Sequence, residues 1–318
     1  MISNLFFRLK RKVERILNQK TAYDYPEESG GWHKLNENPV LNGKKNGSLF
    51  DPFVRKVDGS FIMCISQRSN HSLKFCRSSD GINWDEGIEV LNGLDSSDWE
   101  TEVNRGCFLI HEKKWMLWYT GQHEGKSSIG LAVSEDGIHF KRNNKPVLWP
   151  EYFYEATAVM NPCVMWDEKR SVFRMWYAAG ENYEPDVICY AESEDGYKWR
   201  KKEGPIMKAD ITKPYKQDKV GACDVVQLSD GRYCMAYIAY QNVNVARIAL
   251  AYSENGIDNW KDSTFNPIIS PSRGKWDGHA VYKPSLIIDE HLKEEFIWYN
   301  GRLGHCEQIG MAYRRMNQ

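Results

Sequence analysis

Ser78-Ser79-Asp80-Gly81-Ile82-Asn83-Trp84, Ser134-Glu135-Asp136-Gly137-Ile138-His139-Phe140, Ser193-Glu194-Asp195-Gly196-Tyr197-Lys198-Trp199 and Ser253-Glu254-Asn255-Gly256-Ile257-Asp258-Asn259-Trp260 are four copies of one pattern. The Asp or Asn falls at 80, 136, 195 and 255, so the copies stand 56, 59 and 60 residues apart. A near-constant spacing marks a repeated supersecondary unit. Asp-Gly and Asn-Gly between alternating runs favour tight hairpin turns, because those turns need positive φ.

Working outward from each turn, a strand-like run precedes it at 73–77, 129–133, 188–192 and 248–252. A fifth copy lies at 309–313, and the sequence ends five residues later. Before each lies an aromatic run (61–66, 115–120, 173–178, 233–238 and 296–300). Before that lies another (53–57, 107–110, 163–166, 225–228 and 285–288). After the turn, a fourth run follows at 83–91, 139–148, 198–207 and 259–269, and the fifth unit lacks one. The missing copy stands at the other end. Gly31-Trp32-His33-Lys34-Leu35-Asn36-Glu37-Asn38-Pro39-Val40-Leu41 matches His139-Phe140-Lys141-Arg142-Asn143-Asn144-Lys145-Pro146-Val147-Leu148. An N-terminal strand that completes the last unit removes the open edges of a ring. The expected fold is therefore an all-β, five-bladed β-propeller closed by that strand, over residues 31–318. Open stacked repeats would need capping units and leave the displaced strand unexplained.

Residues 1–30 form the other expected region, an amphipathic helix and a polar linker. Leu5, Phe6, Leu9, Val13, Ile16 and Leu17 share one face of 2–19, opposite a basic face. Two readings stay open: a helix packed on the propeller, or peripheral contact with an anionic membrane surface.

With 42 Lys+Arg against 43 Asp+Glu, a strongly cationic nucleic-acid binder is excluded. Twelve Trp, 17 Tyr and 12 Phe supply ample surface to bury, which excludes a disordered chain. No apolar run reaches the ~20 residues that cross a bilayer. The N-terminus is broken by Arg8, Lys10, Arg11, Lys12, Glu14 and Arg15 and does not read as a secretory leader. Eight scattered Cys, with no CxxC pair and no zinc-like cluster, read as free thiols in a reducing compartment. The expected location is cytoplasmic, with peripheral contact at the inner membrane face as the alternative left open by residues 2–19. No metal or organic cofactor is expected.

In a propeller the innermost strand of each blade lines the central channel. The aligned starts carry Asp51-Pro52, Glu102 with Asn104 and Arg105, Glu155 and Asn161-Pro162, Asp218 and Asp224, and Asp277, His279 and Lys283-Pro284. Arg302 and Glu307 follow. This density of carboxylates and cations favours an active site over an inert channel. Cations facing a channel suit an anionic ligand such as phosphate, an acidic sugar or a sugar nucleotide. His279 is a candidate contact or a hydrogen-bonded structural residue. Trp84, Trp199 and Trp260 read as packing between blades.

Phe50-Asp51-Pro52-Phe53-Val54 at the first inner strand, with the repeated Ser-x-Asp-Gly-x-x-Trp turns, resembles the five-bladed propeller glycosidases. These include glycoside hydrolase families 32, 43, 62, 68 and 130. The resemblance covers residues 31–318. It implies cleavage of a glycosidic bond of an oligosaccharide or glycoside by a carboxyl pair, with Asp51 as nucleophile or base. Glu155, Asp224, Glu102 and Asp218 are candidates for the acid, Glu155 and Asp224 foremost. Asn104, Arg105, Asn161, Asp277, His279, Lys283, Arg302 and Glu307 are expected to bind substrate. The sequence lacks the Arg-Asp-Pro and Glu-Cys-Pro motifs of the common hydrolases. Family 130 contains phosphorylases, so inorganic phosphate is a candidate co-substrate. Hydrolysis is the first expectation; phosphorolysis, glycosyl transfer and silent sugar binding are the alternatives. The sialidase turn has one more residue between Asp and Gly, and that reading is rejected.

Overall fold

The computed structural model describes residues 19–43, 47–181 and 184–316. Most of the expected amphipathic segment, 2–19, lies outside the described residues; Gln19 opens a short 3-10 turn, Gln19–Tyr23. The rest is all-β, with two further 3-10 turns at Phe153–Glu155 and Pro214–Lys216.

The described strands form five antiparallel groups in chain order. Their first, inner strands are Leu49–Val57, Glu102–His111, Ala158–Asp167, Lys219–Gln227 and Ala280–Asp289. Middle strands are Ser60–Gln67, Lys114–His123, Val172–Gly180, Tyr233–Asn242 and Glu294–Leu303. Third strands are Ser72–Ser78, Lys126–Ser134, Pro185–Ser193, Val245–Ser253 and Cys306–Arg315. Outer strands in groups one to four are Ile88–Asn92, Lys141–Arg142, Arg200–Lys201 and Lys261–Asp262. Group five takes its outer strand from the N-terminal side: His33 pairs with Tyr313 and Lys34 with Ala312. Groups two and three are joined by one parallel pairing, Ala158 with Ser127. Each inner strand lies against those of two other groups, and the fifth lies against the first.

The middle strands carry the core. Trp118, Trp176, Trp298, Tyr119, Tyr177, Tyr237 and Tyr299 are fully buried, and large aromatic surfaces dominate such packing. Seven of the eight free cysteines are buried and Cys306 is half-buried.

The repeated turn acts as a latch. In the first copy, Ser78 Oγ accepts from the Gly81 N–H, and Asp80 Oδ1 accepts from the N–H groups of Ile82 and Asn83. Ser134 with Asp136, Ser193 with Asp195 and Ser253 with Asn255 repeat it. The turn glycine then offers its carbonyl to a neighbouring group. Trp298 of group five donates to Gly81, Trp118 of group two to Gly196, and Trp176 of group three to Gly256. Trp84 and Trp199 donate to the same carbonyls within their own turns. Both sit edge-on to a core Trp, Trp298 and Trp118 respectively.

Candidate active site

Every inner strand carries a β-bulge near its start, between Phe50 and Phe53, Asn104 and Cys107, Met160 and Cys163, Gly221 and Cys223, and Tyr282 and Ser285. A bulge adds one residue, bends the strand and re-aims a side chain. Here it places Asp51, Arg105, Asn161, Ala222 and Lys283 in one register, all at positive φ (55°, 55°, 54°, 28° and 38°). Non-glycine residues rarely adopt that region, and such strain collects at functional sites. A neighbouring group supports the bend. The Arg105 N–H donates to Ser66 Oγ at 2.8 Å, that of Asn161 to Thr120 Oγ1 at 3.1 Å, and that of Asp51 to Asn300 Oδ1 at 3.4 Å.

Above this ring opens a cavity of about 420 Å³. Of the residues expected from sequence, Asp51, Glu102, Asn104, Arg105, Asn161, Arg302 and Glu307 line it. Asp51 is 8% exposed, and Arg105 Nε lies 3.4 Å from its Oδ2. Burial pushes the Asp51 carboxyl above its ordinary value, with Glu307 adding to the push and Arg105, Lys283 and Arg68 opposing it. Asp51 Oδ2, Asn161 Oδ1 and Arg302 Nε are buried with no hydrogen-bond partner among the described residues. Arg105 donates to Asn104 Oδ1, and Asn104 donates to Gln122 Oε1 at 2.6 Å, which fixes that wall. Glu307 is paired with Arg68, and Glu102 lies 3.5 Å from His71.

The remaining expected residues lie elsewhere. Lys283 is fully buried and is not among the residues lining the cavity; its Nζ lies 6.0 Å from the Phe53 ring centre. Asp224 sits two residues past the Ala222 bulge, one layer deeper. It accepts both Arg55 nitrogens at 2.9 and 2.7 Å, Ser285 Oγ at 3.1 Å and the Leu286 N–H at 2.8 Å. Burial alone would raise this carboxyl; Arg55, Lys283 and the Leu286 N–H outweigh it and hold it below the usual range. Asp218 is exposed at a separate surface cavity with Lys219 and Gln241. His279 is half-buried, with Nδ1 accepting from the Gly304 N–H at 3.0 Å.

Glu155 and Asp277 belong to a second repeated device, away from the cavity. Glu155 accepts from Tyr177 Oη at 2.8 Å and Lys201 Nζ at 2.8 Å, and from the Glu151 and Tyr152 N–H groups. Asp277 likewise takes Tyr299 Oη at 3.2 Å and Lys34 Nζ at 2.6 Å. Glu100 takes Tyr119 Oη at 2.6 Å and lies 3.1 Å from Arg142. In group four the charges are exchanged: Asp262 stands on the outer strand and Lys216 before the inner one, 2.7 Å apart, with Tyr237 donating to Asp262. Burial pushes the hydroxyls of all four tyrosines up, so each stays a donor. A buried carboxylate so occupied is a brace between strands.

The sequence reading missed Arg68, His71, Gln122, Tyr240, Tyr282 and Asn300, which also line the cavity. The available signal was the far end of each middle strand, where Gln67-Arg68, Gln122, Tyr240 and Asn300 follow the aromatic run.

The model of the beta-1,4-mannooligosaccharide phosphorylase family, Glyco_hydro_130, matches residues 105–279, more than half of the chain. The chain belongs to glycoside hydrolase family 130. A beta-1,2-mannobiose phosphorylase of Thermoanaerobacter sp. (strain X514) is 32% identical over 126 residues, which is 35% of this chain and 42% of that protein. Two uncharacterized proteins of Mycobacterium tuberculosis are 27% identical over 198 residues, 58% of this chain. The match spans 62% of the length of each. Among solved structures, one described with the family 130 mannoside phosphorylases and the hydrolases among them aligns with a TM-score of 0.70 at 15% identity. It covers 92% of this chain and 96% of that one. A thermostable family 43 glycoside hydrolase aligns with a TM-score of 0.68 at 19% identity, covering 86% and 91%. The fold is thus that of the propeller glycosidase superfamily.

Proposed function

We propose that this family 130 chain is a glycoside phosphorylase acting on β-mannosidic linkages, with Asp51 as general acid and inorganic phosphate as nucleophile. The observation that carries the reading is the cavity's charge. Arg68, Arg105 and Arg302 line the cavity together with one buried carboxyl, Asp51, whose raised proton affinity suits an acid. Guanidinium groups match phosphate oxygens in geometry and charge. The names of the related Thermoanaerobacter phosphorylases support the mannoside class.

In this reaction a phosphate oxygen bonds to the anomeric carbon as the glycosidic C–O bond breaks. The Asp51 proton passes to the leaving oxygen, giving a sugar 1-phosphate and a shortened glycan. Phosphate brings its own nucleophilic oxygen, so no carboxylate need activate water. That suits a cavity where Glu307 is held by Arg68 and Glu102 lies beside His71. We also propose that the five strand groups are five blades, closed where His33–Lys34 meets Cys306–Arg315. The cyclic neighbouring of the inner strands supports this.

The test is incubation with β-1,2- and β-1,4-mannooligosaccharides, with and without phosphate, assayed for mannose 1-phosphate. Phosphate-dependent release is expected, and Asp51→Asn lowers it by ~10²–10⁴-fold. Release of free mannose at the same rate without phosphate would make the enzyme a hydrolase.

A further inference from the structure

Lys283 is fully buried, and its ammonium has no hydrogen-bond partner among the described residues. An unpaired buried ammonium is costly, and a fold retains one where the charge serves a purpose. The bulge at Tyr282–Ser285 gives Lys283 the same register as Asp51, so the two residues stand on adjoining inner strands of groups five and one.

No group around it bonds the ammonium at rest, although its charge acts on the buried Asp224 carboxylate. Asp224 of group four is already held by Arg55, Ser285 and the Leu286 N–H. Cys64 of group one, Cys107 of group two and Cys223 of group four are neutral: burial pushes the last two up to about 12 and Cys64 well above its ordinary value. Asn161 of group three carries no charge. Asp51 itself is faced by Arg68 of its own group, Arg105 of group two, Tyr240 of group four, and Glu307 and Lys283 of group five. Arg68 is paired with Glu307, and Arg105 is bonded to Asn104 and lies 3.4 Å from Asp51 Oδ2, whereas the Lys283 ammonium has no hydrogen-bond partner among the described residues.

We propose that Lys283 is a positioning residue for acid catalysis: its buried ammonium stabilises the Asp51 carboxylate that forms as the proton leaves for the glycosidic oxygen. This rests on the reading of Asp51 as the acid. A charge fixed in advance, in a site screened from water, favours the state in which its partner appears. The gain is thus made in the transition state and leaves substrate affinity nearly untouched.

The experiment compares wild type with Lys283→Met, with Lys283→Gln as a second variant should the first not fold. Asp51 is titrated by carbon NMR of labelled aspartate, its signal assigned by its absence in Asp51→Asn. Removing the cation is expected to move that titration to higher pH. On β-mannobiose with phosphate, kcat falls by ~10²–10³-fold, while KM for phosphate changes little. On 2,4-dinitrophenyl β-mannoside, whose leaving group needs no proton, the rate stays near wild type. An unmoved Asp51 titration overturns the proposal, as does an equal loss on both substrates with a raised KM for phosphate, which would make Lys283 a phosphate ligand. If wild type turns over neither mannoside and the titration still moves, the charge coupling stands and the mannoside reading falls.

Discussion

At the scale of single residues, Asp51 and Asp224 show how a two-residue offset along an inner strand separates a carboxyl that lines the cavity from one that does not. Asp51 Oδ2 has no hydrogen-bond partner among the described residues, only Arg105 Nε at 3.4 Å, and the carboxyl has a raised proton affinity. Asp224 is bonded on both oxygens and is held ionised. In the proposed role of general acid Asp51 must be protonated, so kcat/KM is expected to fall as pH rises through its raised value. In Asp51→Asn that alkaline limb disappears along with most of the rate, which a pH–rate profile on mannobiose and phosphate reads directly. A profile unchanged in the variant would remove Asp51 from the chemistry.

At the scale of elements, the turn and the brace explain residues that a catalytic reading alone leaves unexplained. Gly81 has φ +75°, and a Cβ there would lie 2.7 Å from Trp298 Cζ2. Gly81→Ala therefore strains the turn and displaces the indole it binds, at a cost of about 1–3 kcal/mol by urea unfolding. The brace bears on Glu155, one of the two foremost acid candidates expected from sequence. Glu155→Gln leaves Lys201, whose side chain is 3% exposed, without its main counter-charge. Breaking a buried pair costs about 3–5 kcal/mol. The expected result is a lower Tm with kcat retained in the folded fraction. A folded variant that loses kcat at unchanged Tm would return Glu155 to the chemistry.

At the scale of the whole molecule, the axis is tied by Asp224. It accepts from Arg55 of group one, Cys163 of group three, and Ser285 and the Leu286 N–H of group five, so one carboxylate joins four of the five groups. Asp224→Asn is expected to cost about 3–5 kcal/mol, read as a fall in urea midpoint, because Arg55 is left without its counter-charge. The sign with pH follows from its lowered proton affinity: the contribution is present above the usual carboxylate range and is lost as pH falls through the depressed folded value. Wild type should therefore lose stability in acid more steeply than Asp224→Asn.

The amino-acid sequence by itself determined the strand order, the turns and the pairing of residues 31–41 with the last unit. Those follow from local spacing and from the φ that Asp-Gly and Asn-Gly supply. It also placed Asp51, Asn161 and Lys283 in one register through the prolines that follow them. It left open which charged groups share a cavity. That depends on depth, and a single bulge or a two-residue offset along an inner strand moves a carboxyl from the cavity floor to the layer beneath. Asp224 misaligns for this reason, since Ala222 holds the register of Asp51. Glu155, Asp277 and Glu100 carry the same chemical groups as a catalytic acid. Only the tertiary structure brings Tyr177, Tyr299 and Tyr119 onto them, and those partners, 19 to 22 residues away on the middle strands, turn carboxylates into braces.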